Sequence, residues 1–298
     1  MRIATRASAL ALAQARGVAV ALPGDNEIVE VTTAGDRGSE RDGPHDKSRW
    51  VAELERALLD GEADVAVHSA KDVPGTLPDG LEIAAVPARA DARDALCGAP
   101  SLDALPGGAR VGTGSLRRRA LLLATRGDLE IVPVTGNVDT RLRKLKEGAA
   151  DALVLARAGL ERLDRAEEAG ALLDPEAFVP APGQGALALE ARADDEDVRS
   201  ALATVHDPGA AACLHAERAL AAGLGGSCHT PIGGHAEPIG GDRLSLRAFV
   251  GLPDGSAWVR DVVEGAAGEP ERLGREAAAR LLTAGARELL DEAEASLA

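Results

Sequence analysis

One glycine-flanked loop holds the most reactive side chain of this chain, Cys228, within the stretch GGSCHTP. Cysteines in such loops are accessible, and an accessible thiolate is a nucleophile that can carry a covalent group. Cys97 and Cys213 instead lie within apolar runs. Metal binding is the alternative, since Cys and His residues cluster nearby, but no C-x-x-C or H-x₃-H pair occurs among them. The cluster comprises His206, Cys213, His215, Cys228, His229 and His235.

A second chemical segment is HSAKDVP, residues 68–74, which directly follows a buried strand pattern. Ligands of α/β proteins bind beyond the carboxyl ends of the strands. Asp72, flanked by Lys71, is therefore suited to stabilise a developing cation or to handle protons. An Asp before Val-Pro is equally ordinary in a turn. The residue pattern alone leaves both interpretations open.

A basic region stands out because the whole chain carries a formal charge of −15. Residues 110–162 contain eleven basic and six acidic side chains. Two glycine-containing loops in this region open helices, GTGSLRRR at 112–119 and TGNVDTRLRKLK at 135–146. Free N–H groups at helix starts favour anions, and arginine adds forked donors for carboxylates. The repetition favours a ligand with several anionic groups over a merely solvated helix face.

The overall composition excludes several classes of partner. With two Phe, two Trp and no Tyr, the chain lacks stacking platforms for nucleic acid, and its negative charge disfavours polyanions. It has neither an eighteen-residue apolar run nor the features of a signal peptide. We therefore expect a cytoplasmic protein with no nucleic-acid, membrane or metal partner. The 29 Arg against four Lys indicate a salt-adapted archaeon as the source.

Strand and helix patterns alternate through the first 190 residues, which predicts α/β domains with largely parallel sheets. The predicted helices cover 50–60, 116–125 and 140–147. The predicted strands cover 2–5, 28–33, 64–68, 82–86, 110–113, 129–134, 152–156 and 186–190.

Two short segments, 87–93 and 180–185, are predicted to cross between two lobes that enclose a cleft. The pattern changes after residue 207 to a helix at 210–222, a Gly-rich loop, a hairpin turning at Pro253-Asp254-Gly255 and one long C-terminal helix. We therefore predict domain 1 at 1–87 with a return segment at 186–205, domain 2 at 88–185, and a smaller α+β domain at 206–298.

Together these segments resemble the porphobilinogen deaminase family along essentially the whole chain. The order HSAKDVP, then GQGA, then GGSCHTPIG is highly specific. The other matching stretches are RIATRASALAL, KSRWVAELERALL, DARDAL, VGTGSLRR, GNVDTRL, RAGLERL, PAPGQGALALE and AERAL.

The resemblance implies two periplasmic-binding-protein-like (type II) α/β domains forming a cleft, plus the small C-terminal α+β domain. It implies a monomeric transferase that deaminates four porphobilinogen molecules and condenses them head to tail into hydroxymethylbilane. Its partners would be porphobilinogen and the growing polypyrrole chain. A dipyrromethane cofactor would be covalently bound to Cys228.

The resemblance also assigns residue roles. The implied catalytic residues are the carboxylate Asp72 and Lys71 beside it. Trp50 stands where the family usually has Phe. Substrate-binding residues are Arg6, Ser8, Gln14 and Arg162. Besides Cys228, cofactor-binding residues are Lys47, Ser69, Thr113, Ser115, Arg117, Arg118, Arg141 and Gln184.

The chemistry of the implied ligand agrees with the residues. Each porphobilinogen carries two carboxylates, so a six-ring chain carries about twelve and demands many forked cationic donors. Loss of ammonia leaves a cation that a carboxylate such as Asp72 can stabilise. Besides Trp50, several positions depart from the family pattern: Thr135 replaces an Arg, residues 33–36 read TAGD where many relatives have TRGD, and Gly43 lies nearest to an expected Lys. Candidates for compensation are Arg37, Arg41, Arg119 and Arg143.

Two other functions remain open. A binding protein of the same clamp architecture for an anionic small molecule would explain the arginines but not Cys228. A metal-dependent enzyme centred on the Cys/His cluster would be detected by metal analysis of the purified protein.

Overall fold

Two five-stranded sheets and one three-stranded sheet organise the computed structural model, which describes residues 1–32, 48–225 and 230–296, with only the backbone at 48–50. The strands are β1 Arg2–Arg6, β2 Glu27–Val31, β3 Val65–Ser69, β4 Leu81–Ala85, β5 Asp94–Cys97, β6 Arg110–Gly112, β7 Glu130–Val132, β8 Ala152–Ala156, β9 Ala169–Leu172, β10 Leu187–Arg192, β11 Ile232–Pro238, β12 Arg243–Gly251 and β13 Trp258–Ala266.

Nine helices lie in these described ranges. They are α1 Ala9–Ala21, α2 Ser48–Leu59, α3 Leu116–Thr125, α4 Val138–Lys146, α5 Arg157–Arg162, α6 Glu196–Leu202, α7 Pro208–Gly223, α8 Pro270–Thr283 and α9 Ala286–Ala295. Short 3₁₀ turns occupy Ala70–Asp72, Ala166–Glu168 and Ala203–Val205. None of the described helices combines the length and apolar composition that a membrane crossing requires.

The two large sheets share one strand order. The first runs β2-β1-β3-β10-β4 and the second β7-β6-β8-β5-β9. In each, the strand at the fourth position is antiparallel to both neighbours, and the other pairs are parallel. That strand is the one that follows a crossing: β5 after the first and β10 after the second. This topology confirms the prediction of two type II periplasmic-binding-protein-like α/β domains.

The predicted helices and strands of these lobes are present, with ends that match or shift by at most two residues. Helix α2 begins at Ser48, and it buries Leu54 and Leu58 completely against the first sheet. It ends before Gly61, whose φ of 67° is in the left-handed region that favours glycine. The strand predicted at 28–33 ends at Val31 in the described residues.

Three strands were not predicted from the sequence: β5, β9 and β11. The first two have four residues each, too few to show a clear alternation. Strand β11 carries Gly233 and Gly234, which indicated a loop. The fold needs these glycines because a Cβ at Gly233 would come within 3.0 Å of Val179, and one at Gly234 within 2.9 Å of Leu220. Small residues let this strand approach its neighbours closely.

The prediction of one long C-terminal helix is wrong. Two helices, α8 and α9, meet at Gly285, whose φ of 100° breaks the helical path. Both helices pack on the antiparallel sheet β11-β12-β13 together with α7. The predicted hairpin is confirmed as β12 and β13.

The C-terminal part of the chain packs against both lobes. From β12, Phe249 enters the core of the second sheet beside Phe178 and Val179. From α7, Ala211 and Leu214 enter a cluster that belongs to the first lobe. One helix and one strand therefore fix the position of this part relative to the cleft.

Candidate active site

The predicted site residues gather at one edge of each large sheet, where the parallel strands end. Arg6 ends β1 and Ser69 ends β3. Helix α1 begins after β1, α3 after β6, α4 after β7 and α5 after β8. The other predicted residues at these edges lie on these helices or in the loops that lead into them. Crevices beyond the carboxyl ends of parallel strands are where α/β proteins bind ligands.

Three of these helices are capped by polar side chains. Ser8 Oγ accepts a hydrogen bond from Ala11 N at 3.2 Å, and Ser115 Oγ accepts one from Arg118 N at 3.4 Å. At α4, Asn137 Oδ1 accepts from Thr140 N at 2.9 Å. A capped helix still presents free N–H groups and a positive dipole end, which favour an anion.

A pocket in the first lobe brings together the residues around Asp72. Gln14 is buried, and its Nε2 donates to Ser69 Oγ at 2.8 Å. Asp72 itself ends the 3₁₀ turn Ala70–Asp72 that follows β3. The pocket lining comprises Arg6, Ser8, Leu10, Ala11, Gln14, Val51, Val67, His68, Ser69 and Asp72. The sequence segments RIATRASALAL and HSAKDVP therefore form one site.

The two lobes touch beside this pocket. A Cβ at Gly159 of α5 would meet Leu10 Cδ2 of α1 and Val138 Cγ2, both at 3.8 Å. Behind the pocket, the second crossing packs on the turn that carries Lys71. There a Cβ at Gly183 would come within 2.8 Å of Lys71 N. Close packing on both sides makes the pocket part of an interlobe cleft.

Arg117 and Arg118 converge on Asp94 in a buried ion cluster. Arg117 Nη2 lies 2.8 Å from Asp94 Oδ2, and Arg118 Nη2 lies 2.7 Å from Asp94 Oδ1. Gln184 Nε2 donates to Asp94 Oδ1 at 2.9 Å. Burial alone would raise the pKa of Asp94, but attraction to Arg117 and Arg118 outweighs it and lowers the pKa to about 2.

Both arginines therefore use most of their donors inside the protein. Arg117 Nη1 also donates to Val179 O at 2.6 Å, and Arg118 Nη1 donates to Val154 O at 3.0 Å. They lie on the first turn of α3, as the sequence indicated. Their role in holding ligand carboxylates stays a prediction, as does that of Gln184.

Arg141 and Arg162 differ from this pair. Arg141 Nε donates to Gly136 O at 2.7 Å, and Arg162 Nη2 donates to Gly185 O at 2.7 Å. Among the described residues, neither has a carboxylate within salt-bridge distance. Burial lowers both pKa values, that of Arg141 to about 10 with repulsion from Arg118 as a second cause. Attraction to Glu161 partly opposes the effect of burial on Arg162. Both arginines remain charged at neutral pH and can offer positive charge to an anion.

Thr113 is buried between the two loops. Its N–H donates to Val132 O at 3.0 Å, and its Oγ1 accepts from Ser115 N at 3.1 Å. Thr113 therefore shapes the loop that leads into α3. Its predicted contact with the cofactor is an additional role that stays a prediction.

Three charged residues important to the site were missed in the sequence: Asp94, Arg89 and Glu217. Glu217 is fully buried and accepts from Arg89 Nη1, Gly183 N and Ala236 N at 2.6–2.7 Å. Burial raises the pKa of Glu217, but attraction to Arg89 outweighs it and the net pKa is lowered. For Asp94 and Glu217 the available signal was an acidic residue within the motif stretches DARDAL and AERAL.

The cysteines and histidines separate into different environments. Cys97 and Cys213 are buried, and burial raises both pKa values to about 11, which keeps the thiols protonated. His206 Nδ1 accepts from Val86 N, whereas His215 pairs with Glu271. In the described ranges no three metal-ligating side chains meet. Cys228, Lys47 and the side chain of Trp50 lie outside the described residues.

These features define a protein of two α/β lobes in contact, with a pocket that contains Arg6 and the Asp72 turn and a buried arginine cluster around Asp94. Comparison with known proteins identifies its family. The family model described as "Porphobilinogen deaminase, dipyromethane cofactor binding domain" matches residues 1–200, and "Porphobilinogen deaminase, C-terminal domain" matches 211–283. The chain belongs to the porphobilinogen deaminase family.

Curated relatives agree over the full length. The porphobilinogen deaminase of Roseiflexus sp. (strain RS-1) is 48% identical over 97% of each chain. That of Syntrophus aciditrophicus is 44% identical over 99% of each, and that of Deinococcus radiodurans 43% over 97% of each.

Among solved structures, a TRAP periplasmic solute binding protein from Desulfovibrio salexigens is 15% identical, with a TM-score of 0.41, over 69% of this chain and 72% of its own. The second substrate binding domain of a putative amino acid ABC transporter from Streptococcus pneumoniae is 14% identical, with a TM-score of 0.40, over 68% and 90%.

Proposed function

We propose that the protein deaminates porphobilinogen and joins four molecules head to tail into hydroxymethylbilane, with a dipyrromethane primer attached to Cys228. The family membership supports the reaction. The observation that carries the proposal is the pocket at the end of β3, where Asp72 lies with Arg6, Ser8, Gln14 and Ser69. It combines one carboxylate with donors for an anionic substrate.

The cofactor fits the residues present. Bound dipyrromethane supplies a nucleophilic pyrrole carbon to which the first substrate ring is joined. Arg141 and Arg162 form no ion pair within the described residues, and burial lowers both pKa values. Binding carboxylates there neutralises partly desolvated cations, which makes the contacts stronger than on an open surface.

We assign the remaining residues in the same way. Arg6, Ser8, Gln14 and Arg162 bind the incoming substrate. Arg117, Arg118 and Gln184 affect cofactor binding largely through the buried cluster that they form with Asp94. The other cofactor-binding residues in this proposal are Lys47, Ser69, Thr113, Ser115 and Arg141.

Asp72 is the catalytic residue of the proposal. When ammonia leaves porphobilinogen, positive charge develops on the pyrrole ring, and a fixed carboxylate nearby stabilises it without reorganisation. The same carboxylate accepts the proton that the joined ring loses. Lys71, in the same turn, contributes positive charge for the substrate carboxylates. The binding-protein alternative leaves this carboxylate without a purpose.

We also propose the domain division 1–87 with 186–205, 88–185 and 206–298. The membership of β5 and β10 in the opposite sheets supports crossings near 87–93 and 180–185. We likewise propose a monomer, as the family resemblance implies. The charge of −15 and the scarcity of Lys support a salt-rich cytoplasm in an archaeon.

Intact-mass measurement tests the attachment. The purified protein should exceed its sequence mass by about two pyrrole units, because a thioether survives denaturation. Cys228→Ser should fold, show the bare sequence mass and lack turnover. Cys213→Ser is the matched control and should keep the extra mass, since its thiol is buried. Extra mass retained by Cys228→Ser would contradict the assignment.

A further inference from the structure

One arginine outside the pocket grips the chain just after Asp72. Arg218 lies on α7, and its guanidinium donates to three successive backbone carbonyls. Arg218 Nη1 is 3.3 Å from Val73 O, and Nη2 is 2.7 Å from Pro74 O and 3.1 Å from Gly75 O. These carbonyls belong to irregular chain, where no sheet or helix ladder provides their partners.

Burying the Arg218 guanidinium costs desolvation free energy, and the contacts with the carbonyls of residues 73–75 offset it. Burial lowers the pKa of Arg218, and attraction to the buried Glu190 of β10 only partly opposes that effect. A partly desolvated cation is directed at neutral carbonyls, and charge-assisted hydrogen bonds of this kind are short and strongly directional. The path of residues 73–75 is therefore set from α7.

The residue next to Arg218 holds the opposite side of the same turn. Glu217 accepts from Gly183 N at 2.6 Å, and Gly183 packs on the backbone of Ala70 and Lys71. Ala70 N in turn donates to Ala186 O at 3.0 Å. Two consecutive side chains of one helix thus fix both the crossing behind the Asp72 turn and the chain in front of it.

We infer that Arg218 is a positioning residue for Asp72, by which α7 sets the location of the carboxylate relative to the cleft. The inference rests on the catalytic role proposed for Asp72. Helix α7 ends at Gly223, five residues before Cys228 in the sequence, so the helix that holds the Asp72 turn is also close in sequence to the proposed attachment residue. Arg218 does not line the pocket around Asp72 and acts through the backbone.

The first test compares Arg218→Met with Arg126→Met. Arg126 also donates to two backbone carbonyls, Leu102 O and Leu105 O, but in the second lobe. Arg218→Met should lower kcat by about 10²-fold, the effect of a displacement of about 1 Å at a reacting group. KM should change by less than about threefold, because ground-state contacts remain. Arg126→Met should lose stability but keep kcat.

Hydrogen exchange provides a readout besides activity. In Arg218→Met holoenzyme, the amides of residues 71–77 should exchange faster, and in Arg126→Met they should not. Arg218→Lys can restore one carbonyl contact and should recover part of both kcat and protection. Unchanged exchange at 71–77, or a loss expressed mainly in KM, would overturn the inference.

A double variant separates this inference from the proposed function. If Arg218 acts through Asp72, Asp72→Asn/Arg218→Met should be no slower than Asp72→Asn alone. If the double variant instead loses turnover by the product of the two single losses, Arg218 acts independently of Asp72. That result would overturn the inference and leave Asp72 catalytic. Near-normal turnover of Asp72→Asn would instead overturn the proposed function. A slow Asp72→Asn with a normal Arg218→Met would defeat the inference alone.

Discussion

At the scale of single residues, the side chains assigned to ligands also build the fold. Ser8 and Ser115 cap helices, and Gln14 bonds Ser69 beneath the pocket. Replacing a cap by Ala typically costs about 0.5–2 kcal/mol. Variants at these positions therefore change stability and binding together, and their kinetics require a parallel melting curve.

Asp72 offers a cleaner residue-scale test. Asp72→Asn keeps the shape of the side chain but removes the charge, so turnover should fall by about 10² or more. Folding and the covalent cofactor mass should be unchanged. Steady-state rates and intact mass check both. Asp79→Asn, an exposed change seven residues later, is the control and should be neutral. Near-normal turnover of Asp72→Asn would leave Asp72 as a turn residue.

At the scale of elements, the cluster around Asp94 joins β5, α3 and the second crossing. One carboxylate compensates two buried arginines, so its loss leaves both charges uncompensated. Breaking a buried pair in this way costs about 3–5 kcal/mol. The cluster therefore contributes to the site by stabilising the fold of the elements around it.

Asp94→Asn should show this cost in urea unfolding at neutral pH. Because the folded pKa of about 2 lies below the ordinary 3.8, the charge stabilises the fold above about pH 4. That contribution is lost as pH falls through 2, so the gap between wild type and variant should narrow in acid. Glu147→Gln, at an exposed pair with Arg143, is the control and should cost less than about 1 kcal/mol. A gap independent of pH would contradict the assignment.

Two cleft arginines should affect chain growth differently. Arg118→Ala should lower stability and hinder cofactor assembly, because Arg118 belongs to the Asp94 cluster. Arg162→Ala should keep the melting temperature but accumulate enzyme with a few added pyrroles. Losing one charge-assisted contact of this kind costs about 1.5–3 kcal/mol. Native mass spectrometry after addition of limited substrate separates the enzyme species by the number of pyrroles they carry, as a ladder of masses. Identical ladders in wild type and both variants would refute the assignments.

At the scale of the whole molecule, the dominant feature is the charge of −15. Unscreened repulsion among carboxylates destabilises the compact state, and salt shortens its range. Surface ion pairs such as Arg243–Glu264 weaken with salt, but each contributes little. We therefore expect the melting temperature to rise between low and molar KCl. A flat or falling curve would remove the proposal of salt adaptation and leave the enzyme assignment intact.

The sequence by itself determined the alternation of strands and helices, the hairpin, and the segments that meet at the cleft. Buried strands such as β8 and amphipathic helices such as α2 follow from local hydrophobic periodicity. Helix starts at Ser115 and Asn137 follow from capping, and the family resemblance follows from the order of its motifs. Each of these patterns and each single motif can be recognised within a short stretch of the chain.

Only the tertiary structure decided which charges compensate each other. Asp94 and Arg117 are 23 residues apart, and Arg89 and Glu217 are 128 apart, so no local pattern relates them. The break at Gly285 and the strand at Gly233 likewise depend on what packs against the chain. Arg118 and Arg141 have the same local pattern, a helix start after a glycine loop. Contacts across the fold give Arg118 a carboxylate partner, Asp94, whereas Arg141 donates to Gly136 O within its own loop. Folding brings residues that are distant in sequence together, and the low dielectric of the interior strengthens the interaction of their charges.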